Sequence, residues 1–216
     1  MKTFPAPQPP EALLFDVDNT LYRHNRYVYS QVDALISRLA EHRQEPLERT
    51  RALVTRTREQ ITARTGRKPS LGNIFVALGV PISTSVAWRK ELMHPEQFLA
   101  PDHALQELLD RLSERFRLGA ITNNPEEVGR RTLAVLGVER CFHVLVGLDT
   151  TMQSKPSWAP FEAALEALET EPTRTIVVGD RYEVDLEPMI CRGGGGILIE
   201  QDDDLMGIRE YLETEY

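Results

Sequence analysis

The run Ala12-Leu13-Leu14-Phe15 leads without a break into Asp16-Val17-Asp18-Asn19-Thr20-Leu21. A stretch that is apolar at every position, not at alternate ones, marks a strand covered on both faces, as in a parallel sheet with crossover helices. Carboxylates ending such a strand sit at the rim of the sheet, where α/β proteins bind ligands and where an idle charge is costly. Alternate side chains of extended chain share a side, so Asp16 and Asp18 can converge on one ligand while Val17 turns to the core. Their repulsion is relieved by a divalent cation, or by a proton-transfer role for one of them. For Asp-x-Asp standing alone, an acidic turn closed by side-chain to backbone hydrogen bonds is the plain alternative.

Further strands are expected at Arg117 to Thr122, His143 to Gly147, Thr175 to Asp180 and Gly196 to Glu200, with helices between them. The fold class is therefore α/β, a Rossmann-like parallel sheet with helices on both faces. Leu105, Leu108, Leu109 and Leu112 form one helical stripe behind Asp102 as N-cap. Asn124-Pro125-Glu126-Glu127 reads as cap, proline and acidic first turn of another helix, which stops at Gly137. From Leu21 to about Ala100 no strand is legible, only helical segments near Tyr29 to Glu41, Pro46 to Arg64, Leu71 to Leu78 and Thr84 to Met93. A crossover needs a single helix, so this block is expected to be an insertion. The division that follows is an α/β core from 1–22 and 101–216 and an all-helical cap from 23–100.

The 216 residues carry a net charge of −8, which argues against nucleic acid or an anionic membrane as partner. The local run Arg49, Arg51, Arg56, Arg58, Arg64, Arg67 and Lys68 reads as a solvated helix face in preference to an anion-binding surface. Cys141 and Cys191 have no metal spacing and suggest no disulfide framework. Residues 1–10 hold four prolines and lack the build of a signal peptide. No stretch has the length of a membrane span, so a cytoplasmic location is expected.

Near the same rim, other strand ends supply residues suited to phosphate. Thr122 and Asn123 precede a helix N-terminus, Lys155 follows the third of the five strands, and Asp180 ends the fourth, with Asp185 beyond it. Each alone has an ordinary explanation as a cap, a surface lysine or a turn. Together, and in this order, they resemble the four motifs of the haloacid dehalogenase-like hydrolase superfamily: Asp16-Val17-Asp18-Asn19-Thr20, Thr122, Lys155, and Gly179-Asp180 through Asp185. The resemblance covers nearly the whole chain, because the helical interval lies where that family inserts a cap. The first motif, extended through Leu21 and Tyr22, looks most like pyrimidine 5′-nucleotidases.

The resemblance implies a Mg2+-dependent phosphatase acting on a small phosphorylated metabolite. Asp16 would attack phosphorus and become an aspartyl-phosphate, while Asp18 would protonate the leaving oxygen and then deprotonate water. Magnesium would be held by Asp16, Asp180, Asp185 and, through its backbone carbonyl, Asp18. Glu183 is the nearer alternative to Asp185. Thr122, Asn123 and Lys155 would bind the phosphoryl oxygens. Family members that act on haloacids lack the second acid of the first motif, which this chain keeps as Asp18. Tyr22, His24 and Arg26, at the entrance to the cap, are candidates for contact with the leaving group. A nucleoside monophosphate is the first expectation for substrate, followed by phosphoglycolate or a sugar phosphate. The alternatives are a phosphomutase of the β-phosphoglucomutase type and a non-catalytic anion-binding scaffold. Trp88, Trp158 and Phe161 are expected in the core, and Gly193 to Gly196 as a turn.

Overall fold

A computed structural model describes residues 1–216, the side chain of Asp202 apart. Six strands, β1 (Lys2–Phe4), β2 (Ala12–Asp16), β3 (Arg117–Ile121), β4 (Val144–Val146), β5 (Thr175–Gly179) and β6 (Gly195–Leu198), form one sheet in the order β1-β6-β5-β2-β3-β4. All pairings are parallel except that of β1 with β6. The sheet is therefore mixed, and the proline-rich leader, for which no strand is expected from sequence, contributes an edge strand. Three residues are too few to show a period, and Phe4 is fixed by the pairing of β1 and by the Tyr182 ring at 5.3 Å.

The central strand explains its own sequence. Leu13 and Phe15 enter a cluster with Leu105, Leu109, Leu133 and Ile208, whereas Ala12 and Leu14 enter a second cluster with Phe161, Leu165 and Met189. Both faces of β2 are thus sealed by helices, which is why every position of this strand is buried. The helices supplying those residues are α5 (His103–Ser113), α6 (Glu126–Leu136), α8 (Ala159–Ala167), α9 (Glu187–Ile190) and α10 (Ile208–Glu215), with the single turn α7 (Leu148–Thr151) after β4.

Between β2 and β3 lie α1 (Asn25–Arg43), α2 (Leu47–Thr65), α3 (Leu71–Ala77) and α4 (Ile82–Leu92), close to the expected helical segments. They share a third apolar cluster of Leu35, Leu39, Val54, Ile74, Phe75 and Trp88, which Val128 of α6 joins from the sheet side. Trp88 and Phe161 are buried, and Trp158 stacks on Phe161 at 5.8 Å. Asp102 caps α5 by accepting from the Leu105 amide at 3.0 Å, and Gly137 ends α6 in the left-handed conformation. Asn124 does not cap α6. The Glu126 amide there is satisfied by Asp149 Oδ1 at 2.7 Å, which leaves the Asn124 side chain available elsewhere.

Candidate active site

The parallel register aligns the ends of three adjacent strands. Asp16 pairs with Ile121, the residue before Thr122, while β5 runs beside β2 and ends one residue before Asp180. Asp16 is almost fully buried. Its Oδ1 lies 2.5 Å from Lys155 Nζ, and its Oδ2 accepts from Thr20 Oγ1 at 2.9 Å. The ammonium of Lys155 also sits 2.7 Å from Asp185 Oδ1 and donates to the Ile121 carbonyl at 3.0 Å. The backbone carrying Lys155 is held by Asn123, which accepts from the Lys155 amide at 2.8 Å and donates to its carbonyl at 3.3 Å. Asn123 therefore reaches the site through Lys155 in this geometry.

Asp185 is fully buried, whereas Glu183 is exposed, so the carboxylate beside Lys155 comes from the fifth residue after Asp180. A single π-helical turn, Tyr182–Leu186, brings it inward, and Asp185 Oδ2 accepts from the Arg181 amide at 3.1 Å. Gly179 makes room for it, since a methyl group on Gly179 would collide with the Asp185 side chain.

Burial pushes the Asp16 carboxyl up to about 7, with Lys155 opposing the shift. Burial also raises Asp180. For Lys155, burial acts downward, but Asp16 and Asp185 outweigh it and hold the ammonium above its ordinary value. One buried ammonium thus faces three carboxylates, with Arg181, about half exposed, standing 3.5 Å from Asp180 and 3.7 Å from Asp185. The cluster is short of positive charge. Oxygens of Asp16, Asp180 and Asp185 lie within 4.8 Å of one another, and buried Asp180 Oδ1 accepts no hydrogen bond, its nearest cation being Arg181 Nε at 3.5 Å. An all-carboxylate donor set with an unsatisfied oxygen fits a hard divalent cation such as magnesium.

The carboxylate of Asp18 lies outside this cluster. Tyr22 donates to its Oδ1 at 2.6 Å, while Thr122 Oγ1 and Asn124 Nδ2 each donate to its Oδ2 at 3.1 Å. Asn124 in turn accepts from Arg89 Nη1 of α4 at 2.8 Å, linking the helical block to the strand ends. Burial lowers the Arg89 guanidinium to about 10. A cavity of about 280 Å3 opens beside Asp18 and is lined by Asn123 and Asn124 on the sheet side and by Gln31, Arg58 and Arg89 from the helices.

The geometry places Asp16, Asp180, Asp185 and Lys155 together, with Asp18, Thr122 and Tyr22 forming the adjoining hydrogen-bonded group. The other two entrance residues go elsewhere. His24 caps α1, its Nδ1 accepting from the Tyr27 amide at 3.1 Å, and Arg26 is exposed; neither lines this cavity. Asn124, Arg89 and Arg58 were not foreseen at the site. Asn124 has the sequence appearance of a helix cap, Arg58 that of a solvated face, and the helical pattern around Trp88 says nothing about which arginine turns inward.

The model of the haloacid dehalogenase-like hydrolases matches residues 13–188, from the first buried strand to beyond Asp185. The chain belongs to this family. Among relatives of this haloacid dehalogenase-like hydrolase is a phosphoglycolate phosphatase of Rhodospirillum rubrum, 32% identical over 182 residues, covering 79% of this chain and 72% of the relative. A pyrophosphatase PpaX of Listeria innocua is 27% identical over 179 residues, 81% of this chain and 76% of the relative. The crystal structure of a HAD phosphatase from Thermococcus onnurineus shares the fold with a TM-score of 0.61 at 20% identity, covering 94% of this chain and 97% of that one. No helix among the described residues is long and apolar enough to cross a membrane.

Proposed function

We propose that this haloacid dehalogenase-like hydrolase is a magnesium-dependent phosphatase that transfers the phosphoryl group of a small phosphorylated metabolite to Asp16 and then to water. The observation that carries the reading is the sharing of buried Lys155 between Asp16 and Asp185 beside the unsatisfied oxygen of Asp180. The phosphatase names of the relatives from Rhodospirillum rubrum and Listeria innocua point the same way.

Asp16 forms the new bond to phosphorus as the bond to the leaving oxygen breaks, and Asp18 supplies the proton that oxygen needs. In the second half, Asp18 takes a proton from water as water displaces Asp16 and inorganic phosphate leaves. Tyr22, Thr122 and Asn124 fix the orientation of Asp18, while Lys155 steadies negative charge around Asp16. Magnesium would be held by Asp16, Asp180 and Asp185 together with the Asp18 backbone carbonyl. When bound, it supplies charge neutralisation at the phosphoryl oxygens.

We further assign 23–100 as a cap over a core of 1–22 and 101–216. The apolar cluster built mainly from α1 to α4, with Val128 of α6 at its edge, and the cavity beneath them support this division. The reading is tested by assaying phosphate release from a broad panel of phosphomonoesters with magnesium and with a chelator. Release that needs the metal is the expected result. No release by folded protein in magnesium would overturn the proposal.

A further inference from the structure

The cavity beside Asp18 is unbalanced in charge. Three arginines line it, Arg58, Arg89 and Arg181, against the single acid Asp18. Arg181 stands near the carboxylates of Asp180 and Asp185, so its charge is accounted for. Arg89 is different. It is almost fully buried, and its hydrogen bonds go to neutral acceptors, Asn124 Oδ1 at 2.8 Å and Ser85 Oγ at 3.4 Å. Arg58 is half-buried and has no acidic partner among the described residues.

A guanidinium withdrawn from water with no carboxylate hydrogen-bonded to it is costly, since the charge of Asp18, reached through Asn124, offsets burial only in part; an anion arriving in the cavity lowers that cost further. Arginine's planar fork also suits carboxylate and phosphate oxygens. Among the described residues no aromatic side chain lines the cavity, so none there offers a face for stacking a nucleobase, and its volume of about 280 Å3 suits a small molecule. These features argue against the nucleoside monophosphate first expected from the sequence.

We infer that Arg58 and Arg89 select substrates whose leaving group is short and carries a second anionic group, a carboxylate or another phosphate. The inference rests on the phosphatase reading and adds what the helical side of the cavity recognises. The phosphoryl group lies toward Asp16 and the second anion toward the two arginines. Asn124 stands between them, joined to both Asp18 and Arg89.

A matched set of compounds tests it. Glycerol 3-phosphate and 3-phosphoglycerate differ only in a hydroxymethyl group against a carboxylate, and propane-1,3-diol bisphosphate carries a second phosphate. With wild-type protein and magnesium, kcat/KM for at least one of the two compounds with a second anionic group should exceed that for glycerol 3-phosphate by about tenfold or more, as a charge-assisted contact allows. Whichever of the two is preferred identifies the second anion. Arg58→Gln, at a half-buried position with no acidic partner among the described residues, should raise KM for that compound and shrink its preference over glycerol 3-phosphate. Arg89→Lys should shrink it as well. Calorimetric binding of the same three compounds to Asp16→Asn gives a readout independent of turnover. Absence of turnover with the binding preference intact would count against the phosphatase reading alone. Equal affinity and equal kcat/KM across the set, or a preference unchanged in Arg58→Gln, would overturn the inference.

Discussion

Lys155 Nζ lies 2.5 Å from Asp16 Oδ1, and both side chains are almost completely withdrawn from solvent. A buried ion pair of this kind is poor evidence of stability in itself, because desolvation offsets most of the attraction. Breaking it from one side is another matter. Lys155→Met would leave Asp16 and Asp185 facing each other without the ammonium they share. The expected result is a loss of roughly 3 kcal/mol in denaturant unfolding together with loss of phosphatase activity. Stability equal to wild type would show that the charge does not hold the site together.

The unsatisfied Asp180 oxygen leads to a prediction about metal. A ligand that binds the folded state raises its melting temperature in proportion to the logarithm of concentration over affinity. Magnesium chloride should therefore raise Tm of the wild type by a steady increment per decade of concentration once that exceeds Kd, and Asp180→Asn should abolish most of that rise. The same ionic strength supplied as sodium chloride is the control. An equal rise in the variant would place the metal elsewhere.

Tyr22 is joined to Asp18 at 2.6 Å and is itself buried. Tyr22→Phe keeps the ring and removes one donor. Its expected effect is a fall in kcat of about tenfold with a stability change of about 1 kcal/mol, the ordinary scale for a single hydrogen bond. Unchanged kcat would remove Tyr22 from the group that positions Asp18.

The positions of Asp16, Asp180 and Lys155 were legible because each follows an apolar strand in sequence, and parallel strands bring their ends to one rim. The choice of Asp185 over Glu183 was harder, because it depends on a π-helical turn and on the space left by Gly179, neither of which has a period. The role of Asn124 is hidden from sequence for a related reason. Its setting before Pro125-Glu126 is that of a cap, yet Asp149, distant in sequence, takes that task. Burial of Arg89 depends on how α4 meets the strand ends, and helical spacing carries no information about that meeting. The edge strand Lys2–Phe4 escaped notice because its pairing partner lies at the other end of the chain.

The cysteines should differ in reactivity. Burial, with Asp110 hydrogen-bonded to its thiol, pushes Cys141 up to about 11, while Cys191 is exposed. The thiolate is the reactive form, so alkylation at pH 8 should modify Cys191 first and Cys141 only on unfolding. By linkage, an acid whose folded value is raised withdraws stability as pH rises from its ordinary 9.0 towards about 11, and Cys141→Ala should flatten that decline. Equal alkylation rates in the native protein would contradict the buried placement.

The central claim is that Asp16 receives the phosphoryl group. Asp16→Asn keeps the shape of the side chain and removes its nucleophilic charge, and kcat on the best phosphomonoester of the panel measures the consequence directly. The account predicts a fall of about a thousandfold or more in a variant with wild-type circular dichroism. Turnover within about tenfold of wild type would contradict it, because a nucleophile cannot be removed at so small a cost.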